Sequence, residues 1–168
     1  MQTIGHHTCS KDNGEQYVVM HAPFMSPYQP VTKKLPFLGA GYYFWDDNLE
    51  MAKFWGDRHY HGKYFILKSD LQIPVDTFLD LVGNRQDMLH IKNLLGKMKE
   101  YGFDRPNWTL GASIEAMKKI NSKIPDFFPF EVIRAVDNSA LDDDKVFFTA
   151  GKPNYTNLNP RIVICFLR

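Results

Sequence analysis

The amino-acid sequence predicts an α+β domain. Strand-like runs lie in the first part of the chain, two well-patterned helices occupy its middle, and three strands close it. Strands and helices do not alternate as a doubly wound parallel sheet requires. With 168 residues, 44% of them hydrophobic and 14% aromatic, the chain reads as a single packed domain over 1–168 and is too apolar to stay disordered.

The elements follow in order. Gln16-Tyr17-Val18-Val19-Met20 is a strand-like run ending in His21. Pro23, Pro27 and Pro30 make the next segment an irregular loop. Gly39 and Gly41 precede a short aromatic strand over 40–44, since glycine takes positive φ and lets a ligand or neighbouring strand come close. Asp46 or Asp47 then caps a helix over 47–55, with Leu49, Ala52 and Phe54 or Trp55 on its buried face.

Residues 60–68 alternate loosely as a strand, 71–73 extend or follow it, and Pro74 breaks the ladder. A helix over 84–101 has Asn84 as cap, Met88, Ile91, Leu95 and Met98 at helical spacing, and Gly102 as its stop. Thr109 caps a second helix over 110–121, with Ile114, Met117 and Ile120 on one face. Strands over 130–136, 145–149 and 161–166 complete the chain, and Asp142-Asp143-Asp144 reads as a solvated turn between the first two.

Several function classes are disfavoured. The formal net charge is +1, and Lys33-Lys34 and Lys118-Lys119 are isolated pairs, so no basic stripe points to nucleic acid or a membrane surface. No apolar run approaches the roughly 20 residues of a membrane span, and the N-terminus lacks a signal-peptide pattern. Cys9 and Cys165 sit near opposite ends, which fits a reducing, cytoplasmic setting, in the producer or in a target cell, better than a disulfide framework. His59-x-His61 is a weak start for a metal site without cysteine nearby, so no metal is expected. His6-His7 reads as flexible terminal sequence or an expression remnant.

The stretch from 16 to 56 carries a more specific signal. A strand ending in His21 is followed by Gly39-Ala40-Gly41-Tyr42-Tyr43-Phe44, which runs into a helix with Ala52 near its centre. This arrangement resembles the ADP-ribosyltransferase-like fold, in the branch that sets His, Tyr and an acidic or amide residue on three successive core strands. The resemblance implies two small, mostly antiparallel sheets framing a cleft, with 75–125 as a helical insertion over one side. It implies NAD as substrate, with ADP-ribose passed to a macromolecular acceptor, protein rather than nucleic acid, or to water. Small stand-alone members serve in bacteria and phages as toxins, effectors or defence proteins.

On that resemblance His21 holds the adenosine-side ribose and the Ala22 backbone contacts nicotinamide. Ala22 stands where the family has Gly, and its methyl narrows the pocket wall. Gly41, Tyr42 and Tyr43 line the cofactor site, and the Tyr43 ring stacks on the cationic nicotinamide. Because side chains alternate along a strand, Tyr42 and Tyr43 face opposite ways. The family's third residue, Glu or Gln at the start of a late strand, has no direct counterpart in Asn159-Pro160-Arg161-Ile162-Val163-Ile164.

Asn159 can hydrogen-bond a ribose hydroxyl there. Arg161 can clamp a phosphate but cannot stabilise positive charge at the ribose. Glu131 is an alternative carboxylate on another strand. Arg134 is a candidate phosphate contact, with an ion pair to Asp137 or Glu131 as the plainer account. The departure at the third position keeps a second outcome open, a catalytically impaired module that binds NAD, ADP-ribose or a protein partner. A third is an interaction domain whose Met- and aromatic-rich loop 22–38 docks a protein.

Overall fold

The structure is a computed structural model that describes residues 1–29, 35–100, 102, 109–137 and 144–167. Its elements are β1 (Gln2–Ser10), α1 (Glu15–His21), β2 (Tyr42–Asp46), α2 (Leu49–Tyr60), β3 (Tyr64–Gln72), β4 (Phe78–Asp80), α3 (Arg85–Glu100), α4 (Leu110–Asn121), β5 (Val132–Asp137), β6 (Lys145–Phe147), β7 (Tyr155–Asn157) and β8 (Arg161–Phe166). The class is α+β. In place of two small sheets, six strands form one sheet in the order β3-β1-β2-β8-β5-β4, and β6 and β7 form a separate hairpin. Pairing in the large sheet is antiparallel except between β4 and β5. The Asp142-Asp143 part of the acidic run lies outside the described residues.

The first strand is not 16–21 but β1. Its sequence QTIGHHTCS lacks an alternating pattern because Gly5 through Cys9 are all buried, so both faces are covered and no solvent-facing position marks the pleat. Gly5 has a steric reason: a Cβ there would come within 2.4 Å of the Leu71 side chain and 2.9 Å of Phe44. Residues 15–21 are instead a seven-residue helix with Val18 as its buried side chain. Val19 and Met20 are about 70% exposed, so the β-branched run that reads as a strand is mostly solvent-facing.

The helix after β2 begins one residue beyond the expected caps. The Asn48 side chain accepts from the Met51 N–H at 2.9 Å, while Asp46 is engaged elsewhere in the sheet and Asp47 takes a positive φ of 44°. Met51, Ala52 and Gly56 face inward and Leu49 does not. The helix also runs on to Tyr60 and ends at His61 in the left-handed region, so β3 starts at Tyr64, later than its loose alternation predicts.

The two middle helices form as read. Thr109 accepts from the Ala112 N–H at 3.2 Å and caps α4, with Ile114 and Met117 buried. Ile91 and Met98 turn α3 onto the same core, where Leu38, Leu79, Phe128, Ile133 and Cys165 meet them. The 75–125 region is therefore more than a helical cover, since it also contributes β4, the edge strand parallel to β5. A smaller cluster of Phe44, Leu71, Ile73, Val132 and Ile164 packs separately. Tyr43 joins the larger cluster and Tyr42 the smaller one, as alternation along a strand requires.

Candidate functional site: a cleft where the sheet opens

β1 pairs with β3 along its whole length, from Gln2 opposite Gln72 to Ser10 opposite Tyr64. On its other side it meets β2 only through Gly5 opposite Asp46 and His6 opposite Trp45. β2 meanwhile stays paired with β8 from Tyr42 to Trp45. Beyond His6 the two strands part, and a cleft of about 490 Å³ opens there. That volume suits a small molecule or one end of a larger one.

His7 sits at the point of parting. Its Nδ1 lies 2.9 Å from the Tyr43 carbonyl oxygen, and its Nε2 lies 3.1 Å from the Phe24 amide nitrogen. A carbonyl can only accept and an amide N–H can only donate, so this pair of partners assigns the neutral ring with its proton on Nδ1. The imidazole thus supplies a link between β1 and β2 where the backbone ladder has ended. Burial lowers the His7 pKa, with the Tyr43 carbonyl acting in the opposite direction.

The walls are aromatic. Phe44 and Trp45 come from β2, Trp55 and Tyr60 from α2, and Phe24 and Phe37 from the segments between α1 and β2. Trp45 and Trp55 have ring centroids 6.1 Å apart at 58°. Trp55 is also stacked on His59, with ring centroids 3.6 Å apart. Val163 of β8 and Asp137 at the end of β5 complete the lining, and Asp137 is the carboxylate among the described lining residues. No Lys or Arg is among them. The chemistry on offer is an electron-rich aromatic box with a single acid, matched to a flat, cationic group.

The expected site residues are distributed differently. His21 lies at the end of α1, exposed, with Nδ1 2.8 Å from the Tyr17 carbonyl and its ring stacked on Tyr17 at 4.1 Å. Ala22 follows as the C-cap, its N–H donating to the Val18 carbonyl. Gly41 serves strand packing, because a Cβ there would lie 2.5 Å from both Cys165 Sγ and the Phe166 carbonyl oxygen. Tyr42 packs into the smaller cluster. Tyr43 lines the cleft, but its hydroxyl donates to the Gly39 carbonyl at 2.6 Å and accepts from the Leu38 N–H at 2.8 Å. Its ring packs against the larger core, and Trp45 and Trp55 line the cleft beside it.

The candidates for the third position do not reach the described cleft lining. Glu131 is tied through its backbone to Thr77 and Leu167 beside β5. Asn159 is a bracket on the start of α2, accepting from Asn48 at 2.6 Å and donating to Glu50 at 3.1 Å. Arg161 places its guanidinium 5.1 Å over the Phe54 ring. The Arg134 Nε lies 2.7 Å from Asp46 and its Nη1 3.5 Å from Asp80. That cluster joins β2, β4 and β5, and Thr3 of β1 donates to the other Asp46 oxygen at 2.6 Å.

His59 stacks on Trp55, and His61 is the α2 C-cap. No group of three metal-ligating side chains occurs among the described residues, and no described helix is long and apolar enough to cross a membrane.

Sequence reasoning thus passed over His7, Trp45, Trp55 and Asp137. The two tryptophans flank the cap of α2 and are the signal that could have marked an aromatic box. His7 and Asp137 carry no local signal, since their meeting depends on strand order. No protein-family model, curated protein or solved structure matches this chain.

Proposed function

We propose that the cleft between β1 and β2 takes NAD by its nicotinamide-ribose end, and that the chain transfers ADP-ribose to a macromolecular acceptor or to water. The observation that carries this reading is one cleft shared by His7 of β1, Trp45 of β2 and Asp137 of β5. The resembled pattern asks for a His on the first core strand, a Tyr on the second and a Glu or Gln at the start of a late one; Trp45 departs from it in residue type, and Asp137 departs from it in standing at the end of β5. β1 is the first strand, so His7 takes the place expected of His21, and Asp137 the place sought among Glu131, Asn159 and Arg161.

The chemistry follows from these groups. The cationic nicotinamide lies against Trp45 and Trp55. The bond from ribose C1′ to the ring nitrogen breaks, its electron pair leaves with neutral nicotinamide, and positive charge develops at C1′. The Asp137 carboxylate stabilises that charge. An acceptor hydroxyl, amine or carboxylate, or water, then bonds to C1′ and releases any proton it carries. A toxin, effector or defence role is the setting the resemblance implies.

The test is nicotinamide release from NAD, read by chromatography, with wild type beside Asp137→Asn and Trp45→Ala. Asp137→Asn should lower the rate at least tenfold, about 1.4 kcal/mol of transition-state stabilisation. Trp45→Ala should chiefly weaken NAD binding. Absence of both nicotinamide release and calorimetric NAD binding rejects the reading.

One observation favours a second outcome, a module that binds NAD without turnover. Both His7 ring nitrogens and the Tyr43 hydroxyl are already held by backbone groups, leaving few polar side-chain atoms to orient a ribose. Binding of NAD with no nicotinamide released selects that outcome.

A further inference from the structure

The His7 ring fastens a segment as well as a strand. Nε2 accepts the Phe24 N–H at 3.1 Å, and two residues later Ser26 and Gly41 exchange backbone hydrogen bonds of 2.8 and 3.2 Å. The Phe24 ring lies parallel to Tyr17 with centroids 6.0 Å apart, so α1 is coupled to the same tie. Phe24, Met25, Ser26, Pro27 and Gln29 all line the cleft. The segment 22–29 is therefore held at two points of the cleft wall, one at Gly41 just before β2 and one at His7.

We propose that His7 is a proton-operated latch on this cleft: neutral, it holds the segment 22–29 to β1, and protonated, it releases it. The cation carries N–H on both ring nitrogens. Nδ1 still donates to the Tyr43 carbonyl, but Nε2 then points a hydrogen at the Phe24 N–H, and two opposed donors cannot bond. The segment moves off β1 while the Ser26–Gly41 bridge keeps it tied just ahead of β2. This deepens the function proposed above by adding a regulation of the same cleft, and rests on that reading only for what enters.

The groups facing His7 set where the latch works. Phe24 and Phe44 flank the ring at 6.3 and 5.7 Å and offer no charge. Cys9 lies two residues along β1, Tyr43 contributes its carbonyl, and Tyr17 with His21 stacks behind Phe24. Tyr60 of α2 and Asp137 of β5 are the remaining titratable groups among the described lining residues. Burial outweighs the Tyr43 carbonyl and lowers the His7 pKa from 6.5, so release occurs on the acid side of that value.

The test is amide hydrogen exchange by NMR on the full chain, with no NAD present, between pH 7.5 and 4.5 and corrected for intrinsic rates. Phe24 should lose at least tenfold of its protection in step with titration of the His7 ring nitrogens, while Ile133 and Ile164 keep theirs. In His7→Gln, whose amide does not titrate, Phe24 protection should not vary with pH. Three results overturn the latch: Phe24 protection unchanged while His7 titrates, the same pH profile in His7→Gln, or loss at Ile133 and Ile164 at the same pH as at Phe24. If His7→Gln does not fold, the wild-type comparison decides alone. Because the sample holds no ligand, failure here leaves the NAD reading standing, and failure of NAD binding leaves the latch standing.

Discussion

The hydroxyl of Tyr43 lies 2.6 Å from the carbonyl oxygen of Gly39 and closes the turn that leads into β2. The Tyr43 hydroxyl oxygen in turn accepts from the N–H of Leu38, a residue with no exposed surface. Burial accordingly pushes the Tyr43 pKa up, and the phenol stays a neutral donor. Tyr43 is a clamp on this turn, and its backbone carbonyl is what His7 holds.

Tyr43→Phe should therefore destabilise the fold by about 1–3 kcal/mol, because the Leu38 N–H is left buried without its acceptor. The urea midpoint measures this. NAD binding by calorimetry should stay within a few-fold of wild type, since the variant leaves the Trp45–Trp55 box intact. A stability unchanged from wild type would contradict the clamp.

Arg134→Ala should be among the more damaging single changes outside the apolar core. Asp46 is 6% exposed and the Arg134 side chain 21%, and removing the cation leaves a nearly buried carboxylate with Thr3 alone. Breaking a buried pair from one side costs about 3–5 kcal/mol. Asp46→Asn, which keeps an acceptor for Thr3, should cost less. Thermal melts of the two variants side by side check the order, and equal or negligible losses would count against it.

Stability should fall as the solution is acidified below about pH 6.5. Burial lowers the pKa of His6, with Asp47 opposing and Lys68 assisting, and burial likewise lowers that of His7. Both folded-state values are depressed, so the unfolded chain binds more protons in this range. Their contribution is fully present above 6.5 and is lost as pH drops through the folded values. The urea midpoint at pH 7.5 against pH 5 gives the sign. Replacing both residues with Gln should flatten the dependence, and an unchanged slope would assign it to other groups.

Periodicity and caps were legible in the two middle helices and in the last strand. The spacing of Met88, Ile91, Leu95 and Met98 and the Thr109 cap give α3 and α4 their bounds to within a residue or so. β8 matches its apolar run from Arg161 to Phe166. Alternation separates Tyr42 from Tyr43 before any contact is known. The three-residue strands β4 and β7 leave no such trace, being too short to show a period.

What the sequence by itself determined was the α+β class and the type of α2, α3, α4, β3 and β8. Only the tertiary structure decided which histidine faces the cleft. Composition favoured a strand before His21, yet that run has one buried side chain and coils as a short helix on the surface. Polar β1 lies between β2 and β3 with both faces covered, and its burial, not its composition, makes it a strand. The meeting of His7, Trp45 and Asp137 follows from strand order: β1 beside β2, β2 beside β8, β8 beside β5. Those are long-range registers, set by how buried faces match across the sheet, and no local window of sequence contains them.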